Sequence, residues 1–369
     1  MPEASSPRVP VAVIGLGFGL DFHYPAFAAC GGFQVVALAD TGRGDGRGKL
    51  AARGLGDLYR PAAAILADAA VEAVSIAVPP AAQGDLVLAA LDAGKHVFCE
   101  KPLGTSVAQA RAMRDLASRR RLANAVDFQF RFNPGFQAAR DALRQGAIGE
   151  AKRLDVTWFT GGGANPARPF AWRDEAQAGG GVAEAFGCHV MDYVSWLLDD
   201  AVTSVFALSR ILHPKRPLPD GSMGRVTAED AIDILMETRA GRVANVKIAS
   251  GHRYSGEHLV EIRGDGGALA VRQAVPFTLR DISLTLRNAA TPPQGEALPL
   301  ARSQPDGDTR LHDVSRAVAA FHAAVAGSPP PDLPTFDHAL ASRRILAATR
   351  ASLRSGCAVA VAAAEDDAS

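Results

Sequence analysis

A lysine between a glutamate and a proline is the most suggestive chemical feature of the chain. The apolar run 97–100 predicts a buried strand that ends at Glu100, and Lys101 follows it directly. Ligands bind outside the carboxyl ends of strands in open α/β sheets. Pro102 keeps Lys101 out of helical geometry and so fixes its direction. An amine held there can accept the proton left when a carbinol loses hydride, or supply one when a carbonyl is reduced. A surface lysine paired with Glu100 is the alternative interpretation.

A glycine-rich turn supplies the second chemical motif. Gly15, Gly17 and Gly19 follow the apolar run 11–14 and precede a helical pattern, which is the context of a dinucleotide fingerprint. Glycine lets the backbone bend sharply and approach a pyrophosphate, whose charge lies at the helix N-terminus. The match to G-x-G-x-x-G is imperfect because Leu20 occupies the third glycine position. We therefore expect this helix to stand slightly differently against the sheet.

A carboxylate at the end of the second predicted strand bears on the choice between two cofactors. Asp40 can accept hydrogen bonds from an adenosine ribose and would repel a 2′-phosphate, which favours NAD over NADP. Arg43 and Arg47 follow in a Gly-rich loop and could meet that phosphate, so NADP stays open. An ordinary βα turn is the structural alternative, and the combination of strand, helix and acid argues against it.

A histidine and an aspartate share one face of a predicted helix in the second half of the chain. His189 and Asp192 lie in the helix predicted over 182–198, and Ala185 lies four residues before the histidine. Glu184 is about 140° away from His189 round an α-helix, so we expect it not to replace a partner at position 185. His189 could assist proton transfer, and a packed core histidine is the alternative. Because no further His or Cys stands at ligand spacing, we expect no metal.

The scaffold that must position these residues changes character along the chain. Short apolar strands alternate with helical patterns in the first third, which predicts parallel βαβ units and a doubly wound sheet. After about residue 130, strands alternate apolar and polar residues between Gly-containing turns, which predicts an antiparallel sheet. A capping box, Ser106-x-x-Gln109, opens a helix predicted over 107–120. Two further helices are predicted over 313–326 and 336–355.

Composition and charge limit the classes of protein. The 369 residues include 39 basic and 39 acidic ones, so a zero net charge gives no reason to expect nucleic acid or a membrane as partner. Four cysteines without a CxxC pair argue against a disulfide framework or zinc ribbon. No signal peptide or membrane span is expected, and we predict a cytoplasmic protein. The basic residues include only six lysines: Lys49, Lys95, Lys101, Lys152, Lys215 and Lys247.

Several motifs, in order along the chain, carry a resemblance to one family. They are the glycine turn, His23-x-Pro25, Val78-Pro-Pro80, Ala93-Gly-Lys-His96, Glu100-Lys101-Pro102, 128–134 and 179–192. Together they resemble the Gfo/Idh/MocA family of NAD(P)-dependent oxidoreductases over nearly the whole chain. The resemblance implies a Rossmann domain followed by an α/β domain with an open, largely antiparallel sheet that often forms the subunit interface. It also implies that Lys101 is the catalytic lysine and contacts the nicotinamide ribose.

The resemblance extends the set of candidate site residues and shows one departure. The family carries Asp, His and Asp where this chain has Ala185, His189 and Asp192. The residues predicted to be catalytic are Lys101 and His189. The residues predicted to bind substrate are Lys101, Arg131, His189, Asp192 and Tyr254. The residues predicted to bind the cofactor are Gly15, Gly17, Phe18, Gly19, Asp40, Pro79, Gln83, Glu100, Lys101, Trp172 and Arg173.

These features predict two domains with short terminal extensions. The Rossmann domain is expected over 9–128 and the substrate-binding and oligomerisation domain over 129–310. C-terminal helices over 311–360 would complete the fold, and disorder is expected at 1–8 and 361–369.

The predicted activity is hydride transfer between NAD and a carbinol or carbonyl of a sugar, polyol or cyclitol-like small molecule. We expect a homodimer or homotetramer assembled through the sheet of the second domain. Two alternatives remain open at this stage. One is an NAD-using enzyme without net redox, as in certain glycosidases, and the other is a catalytically silent NAD-binding regulatory protein, which Ala185 would suit.

Overall fold

The structure, a computed structural model, describes residues 7–41, 44–254, 256–275, 277, 281–301 and 308–362. Its contacts divide the chain into two units, the first formed by 1–132 and 310–340 and the second by 133–309 and 341–369. The division falls at Phe132, whereas the sequence places it at residue 128, and the C-terminal segment is shared between the units. Most of the ends expected to be disordered lie outside the described residues, and the first strand begins at Val9.

A parallel sheet organises the first unit. Its strands are β1 (Val9–Ile14), β2 (Phe33–Ala39), β3 (Ala73–Ile76), β4 (His96–Cys99) and β5 (Asn124–Val126). They run in the order β2-β1-β3-β4-β5 with parallel pairing throughout. Because helices cover both faces, β3 is buried along its whole length. The order reverses between β1 and β3, which is where α/β sheets bind ligands.

The helices predicted over 107–120 and 336–355 have those bounds in the structure, and the one predicted over 313–326 begins earlier, at Thr309. The described helices are α1 (Tyr24–Ala29), α2 (Gly46–Ala51), α3 (Ala62–Ala67), α4 (Pro80–Asp92), α5 (Val107–Arg120), α6 (Pro134–Arg144), α7 (Cys188–Leu198), α8 (Thr309–Val325) and α9 (Phe336–Ser355). Ser106 caps α5 by accepting a hydrogen bond from the backbone N–H of Gln109 at 3.1 Å. Within the described part of the chain, no helix combines the length and apolarity needed to cross a membrane.

An aromatic cluster explains why α8 belongs to the first unit. Phe321 of α8 stacks on Phe33 of β2 with ring centroids 5.9 Å apart. It also meets Phe27 of α1 and Phe98 of β4 at 6.5 and 5.7 Å. All four rings are buried, so this C-terminal helix closes the core of the parallel sheet.

A nine-stranded sheet forms the second unit. Its strands are β6 (Ala151–Thr160), β7 (Val202–Arg210), β10 (Ala231–Thr238), β11 (Val243–Ala249), β12 (Gly256–Gly264), β13 (Gly267–Ala274), β14 (Ile282–Asn288), β15 (Glu296–Ala297) and β16 (Val359–Ala360), and a separate hairpin pairs β8 (Lys215–Pro217) with β9 (Met223–Arg225). The order is β15-β14-β13-β12-β6-β11-β10-β7-β16, and β11 with β6 is the parallel pair among these. The predicted fold class, a doubly wound parallel sheet plus an open, largely antiparallel one, is confirmed.

One face of this sheet is buried and the other carries exposed side chains. Burial alternates residue by residue along β10, as the period of a half-buried strand requires. Helices α6 and α7 pack on the buried face, against β13, β14 and β6. The strand pairings place Trp158, His258 and Gln273 side by side on that face.

Candidate active site

The glycine turn after β1 has the shape that a dinucleotide requires. Gly15 adopts φ +121°, and a Cβ there would lie 2.1 Å from the carbonyl oxygen of Ala77, so the backbone after β3 packs directly on it. A Cβ on Gly17 would meet nothing within 4 Å, which leaves open space over the turn. A Cβ on Gly19 would press against Ala77 and Val13, so this glycine permits close packing of helix on sheet.

The helix after this turn begins with a π-helical turn, Gly19–His23, before α1. A π turn holds one more residue than an α turn. The extra residue accommodates the glycine that stands one position early and lets Leu20, 2 % exposed, enter the core. How this helix stands against the sheet relative to a standard fingerprint stays a prediction.

Asp40 lies at the carboxyl end of β2, next to the glycine turn. The N-terminus of α2 packs closely on it, because a Cβ on Gly46 would lie 2.1 Å from Asp40 Oδ2. Tyr59 contacts Asp40 Oδ1 at 3.5 Å, and the Arg47 guanidinium lies over the Tyr59 ring at 5.1 Å from its centroid. Lys49 of α2 donates a hydrogen bond to the carbonyl of Leu16 in the turn. Open space at the turn and a carboxylate beside it fit the pyrophosphate and adenosine ribose of NAD.

Lys101 follows β4 on a segment whose backbone is held by one buried glutamine. Lys101 is half-buried and precedes a cis peptide bond to Pro102. The side chain of Gln83, fully buried in α4, donates to the carbonyl of Glu100 and accepts from the N–H of Gly104 at 2.7 Å. Gln83 therefore clamps both sides of the lysine segment. The cofactor contact predicted for Gln83 remains a prediction.

A buried histidine holds the side chain of Glu100. His23 Nε2 lies 3.0 Å from Glu100 Oε1 and 3.4 Å from Asp127 Oδ2, and its Nδ1 lies 2.7 Å from Ser75 Oγ. Burial opposes a charged ring here, yet Asp127 and Glu100 together raise the pKa of His23 to about 9. Burial raises the pKa of Asp127 to about 7, with Glu100 adding to the effect and His23 opposing it.

Within the described ranges, His23, Glu100 and Asp127 are the group of side chains that could hold a metal ion. Their potential ligand atoms all lie within 4.8 Å of one another. His23 Nε2 is already engaged with Glu100. Burial would raise the pKa of Glu100, but the hydrogen bond and charge of His23, with the charge of Lys101, hold it below its usual range. The contacts are those of a buried ion pair with a second carboxyl beside it.

In the second unit, His189 and Asp192 lie on the buried side of α7. His189 is 5 % exposed and Asp192 2 %. The ring of His189 lies 6.2 Å from that of Trp158 on β6. Trp158 in turn stacks on His258 of β12 with centroids 4.3 Å apart. The sheet and α7 thus bring two histidines and a tryptophan together.

His258 and Gln273 are polar residues of this face that sequence reasoning missed. Burial lowers the pKa of His258 to about 3, so its ring is neutral, and its Nε2 lies 3.1 Å from Tyr193 Oη. The amide of Gln273 is 2 % exposed and, among the described residues, has no hydrogen-bond partner on either atom. A buried amide of this kind can bind water or a ligand. Only the strand register joins these residues, so sequence spacing gives no signal for them.

The prediction of a continuous α-helix over 182–198 is wrong for its first turn. Ala183–Gly187 is a π-helical turn, closed by a bond from the N–H of Cys188 to the carbonyl of Ala183, and α7 begins only at Cys188. The 140° separation expected between Glu184 and His189 therefore does not apply. Glu184 instead forms an ion pair with Arg343 of α9 at 3.0 Å.

The remaining predicted site residues lie at varied depths. Arg131 is buried in a 3₁₀ turn, Trp172 and Arg173 are exposed in another, and Pro79 is exposed at the N-terminus of α4.

Tyr254 is fully exposed with φ +59° and lines an open cavity of the second unit with Gly161, Ala164, Asn165 and Arg253. Phe18 stacks on Phe22 at 4.4 Å, and Arg43 lies outside the described residues.

Comparison with known proteins places the chain in one family. Residues 9–128 match an oxidoreductase family with an NAD-binding Rossmann fold, and residues 136–270 match the GFO/IDH/MocA C-terminal domain. These ranges cover more than half of the chain. The chain therefore belongs to the Gfo/Idh/MocA family of oxidoreductases, and the resemblance inferred from its motifs is confirmed.

Individual relatives agree with this assignment. An uncharacterised oxidoreductase of Synechocystis sp. is 33 % identical over 267 residues, covering 72 % of this chain and 72 % of that protein. The D-apiose dehydrogenase of Paraburkholderia graminis is 29 % identical over 290 residues, 78 % of this chain and 73 % of that enzyme. A solved levoglucosan dehydrogenase in complex with NADH and levoglucosan shares the fold, with a TM-score of 0.85 at 22 % identity over 97 % of this chain and 100 % of that one. The predicted cofactor, NAD, and the oxidoreductase class are confirmed.

Proposed function

We propose that the chain catalyses the NAD-dependent oxidation of a hydroxyl-bearing carbon in a sugar, polyol or cyclitol, or the reverse reduction. The observation that carries this proposal is the amine of Lys101 at the carboxyl end of β4, on a segment that buried side chains hold in place. Relatives named D-apiose dehydrogenase, inositol 2-dehydrogenase and 1,5-anhydro-D-fructose reductase support the substrate class. When bound, NAD supplies the nicotinamide carbon that accepts or donates hydride.

The residues of the chain divide the remaining work. Lys101 accepts the hydroxyl proton as the carbon is oxidised and returns a proton in the reverse direction. His189 and Asp192 bind substrate hydroxyl groups, and His189 assists the proton transfer. The glycine turn holds the pyrophosphate and Asp40 the adenosine ribose. Trp172 and Arg173 are proposed to contact the cofactor, and Arg131 and Tyr254 the substrate.

A substrate panel tests the proposed reaction and separates it from the two alternatives. Purified protein is mixed with NAD and with D-apiose, inositol, levoglucosan and common polyols, and both cofactor absorbance and products are followed. Net reduction of NAD with an oxidised product supports the dehydrogenase. Product without net reduction of NAD indicates a redox-neutral enzyme. NADH binding without any product from the panel indicates a silent, regulatory protein.

Replacing Lys101 tests its role as proton acceptor. We expect Lys101→Met to lower kcat by about 10²- to 10⁴-fold, because that is the range of a lost general acid–base group. Lys101→Arg should fail similarly, since a guanidinium keeps the charge but does not give up its proton. Lys152→Met is the matched control, because Lys152 is exposed on β6 and pairs with the exposed Glu150. Near-normal turnover by Lys101→Met would refute the role.

We further propose that the chain forms a homodimer or homotetramer through the exposed face of the nine-stranded sheet. Leu208 and Leu235 are 51 % and 48 % exposed there, and Phe206 pairs directly with Leu235. Apolar side chains clustered on an open sheet face suit burial against a second copy. Light scattering should give a mass of two or four chains, and a monomer at micromolar concentration would contradict the proposal.

A cytoplasmic location completes the proposal. Its support is chemical, because Cys30, Cys99 and Cys357 are free thiols. Free thiols suit a reducing compartment. Fractionation of the source cells checks this, and recovery outside the cytoplasmic fraction would contradict it.

A further inference from the structure

The side chain of His23 is surrounded by partners at the carboxyl edge of the parallel sheet. It is fully buried, and its two ring nitrogens face Ser75 of β3 and Glu100 after β4. The rings of Phe18 and Phe98 pack on the His23 ring in edge-to-face geometry, with centroid distances of 5.5 and 5.2 Å, and exclude water from it. Hydrogen bonds in such surroundings are stronger than in water.

The contacts of this cluster and the pKa values of its members together assign its protons. Nε2 faces carboxyl oxygens of both Glu100 and Asp127, so this nitrogen must carry a hydrogen. With the pKa of His23 near 9 and that of Asp127 near 7, the ring is an imidazolium and Asp127 retains its proton in mildly acidic solution. Glu100 is then the carboxylate, and the cluster has no net charge.

The Glu100 residue is therefore held at three points. His23 fixes its carboxylate, and Gln83 fixes its carbonyl oxygen, the last acceptor before Lys101. The N–H of Glu100 is also used, because it donates to Ile76 of β3 at 2.9 Å. Glu100 retains little freedom, and the backbone direction at Lys101 follows from it.

We propose that His23 is a positioning residue for the reaction: with Asp127 beside it, it anchors the Glu100 side chain and so fixes where the Lys101 amine lies. This inference rests on the proposed function of Lys101. It gives His23 no contact with substrate or cofactor. A misplacement of a catalytic group by about 1 Å costs about 10²-fold in rate, so the anchor matters for turnover.

Two variants of the full-length protein, saturated with NADH or NAD, test the anchor. His23→Asn removes the cation, and we expect kcat to fall about 10- to 100-fold while the NADH Kd rises by less than about threefold. Asp127→Asn replaces the second carboxyl group beside His23 and should lower kcat less. His96→Asn is the matched control, since its amide oxygen can accept from the N–H of Ala123 as His96 Nδ1 does at the other end of β4. Its kcat should match that of the wild type.

A spectroscopic readout makes the result independent of activity. Nitrogen NMR of the nine histidines, with His23→Asn used for assignment, should show one imidazolium that persists above pH 8 in the wild type. In Asp127→Asn that signal should lose its proton at lower pH, because a carboxyl group that favours the cation is gone.

The outcomes separate the two levels of the argument. An imidazolium at His23 with wild-type kcat in a folded His23→Asn protein would overturn the positioning role. A neutral His23 at pH 7 would overturn the anchor itself. If no panel compound turns over in the wild type, the proposed function fails, and the NMR titration still decides whether the anchor exists. If His23→Asn does not fold, an unchanged kcat and unchanged titration in Asp127→Asn would contradict the proposal.

Discussion

At the scale of single residues, the glycine turn shows how one motif combines two physical requirements. Gly15 is needed by the protein itself, because its φ of +121° and the carbonyl of Ala77 leave no room for a side chain. Gly17 faces open space, so the protein alone places no demand on it. The remaining reason for a glycine at position 17 is the close approach of a bound ligand to the backbone.

Alanine substitutions should separate these two roles. Gly15→Ala should lower the free energy of unfolding by about 2–4 kcal/mol, since it adds a steric clash to a strained backbone. Gly17→Ala should change that free energy by less than about 1 kcal/mol and weaken NADH binding. Chemical denaturation and fluorescence titration with NADH measure the two effects. Equal stability losses in both variants would contradict the assignment.

Lys101 illustrates what sequence reasoning can and cannot reach at this scale. Its type, its following proline and its place after an apolar strand were enough to predict a proton-transfer site. Its support was not predictable, because His23 and Asp127 are far from it in sequence and meet it only through the strand order. Asp127 in particular stands between Val126 and Phe128, and nothing in these neighbours marks it as buried beside a second acid.

At the scale of elements, a helix could be predicted accurately where its start carries a clear local signal. The predicted bounds of α5 and α9 match the structure, because a serine cap begins α5 and the Pro-rich segment before Phe336 sets the start of α9. The π turns at Gly19–His23 and Ala183–Gly187 were missed, since apolar periodicity does not reveal one inserted residue. Strand register was equally out of reach, and it alone brings Trp158, His258 and Gln273 together.

The cluster that anchors the end of β4 should also make stability depend on pH. The pKa of His23 is raised to about 9, so its contribution is complete below about pH 6.5 and is lost as pH rises towards 9. The pKa of Asp127 is raised to about 7, so the folded state binds its proton more tightly and stability falls between about pH 4 and 7. The free energy of unfolding should therefore decrease with pH in both windows.

Variants assign these two slopes to their residues. Asp127→Asn should flatten the decline between about pH 4 and 7, and His23→Asn should flatten it between about 6.5 and 9. Denaturant unfolding at a series of pH values gives the slopes. His96→Asn is the control and should keep the wild-type pH profile. A wild-type free energy of unfolding that rises with pH in both ranges would show that the cluster is not protonated as described.

At the scale of the whole molecule, a zero net charge and a lysine-poor basic set are consistent with the family assignment. A dinucleotide pyrophosphate is met by a helix terminus and backbone N–H groups, so no basic patch is required. Lys101 is one of only six lysines among 39 basic residues, and the proposed function requires a titratable amine at its position. Each unit has its own buried polar side chains, around His23 in the first and around His258 in the second.

Isotope transfer tests the central claim most directly. The best substrate of the panel is prepared with deuterium on the carbon that carries the reacting hydroxyl, and the reduced cofactor is analysed by mass spectrometry after a single turnover. Direct hydride transfer predicts one deuterium in each reduced cofactor from the wild-type protein and almost none from Lys101→Met over the same time. Oxidised product with no deuterium in the cofactor would contradict the account.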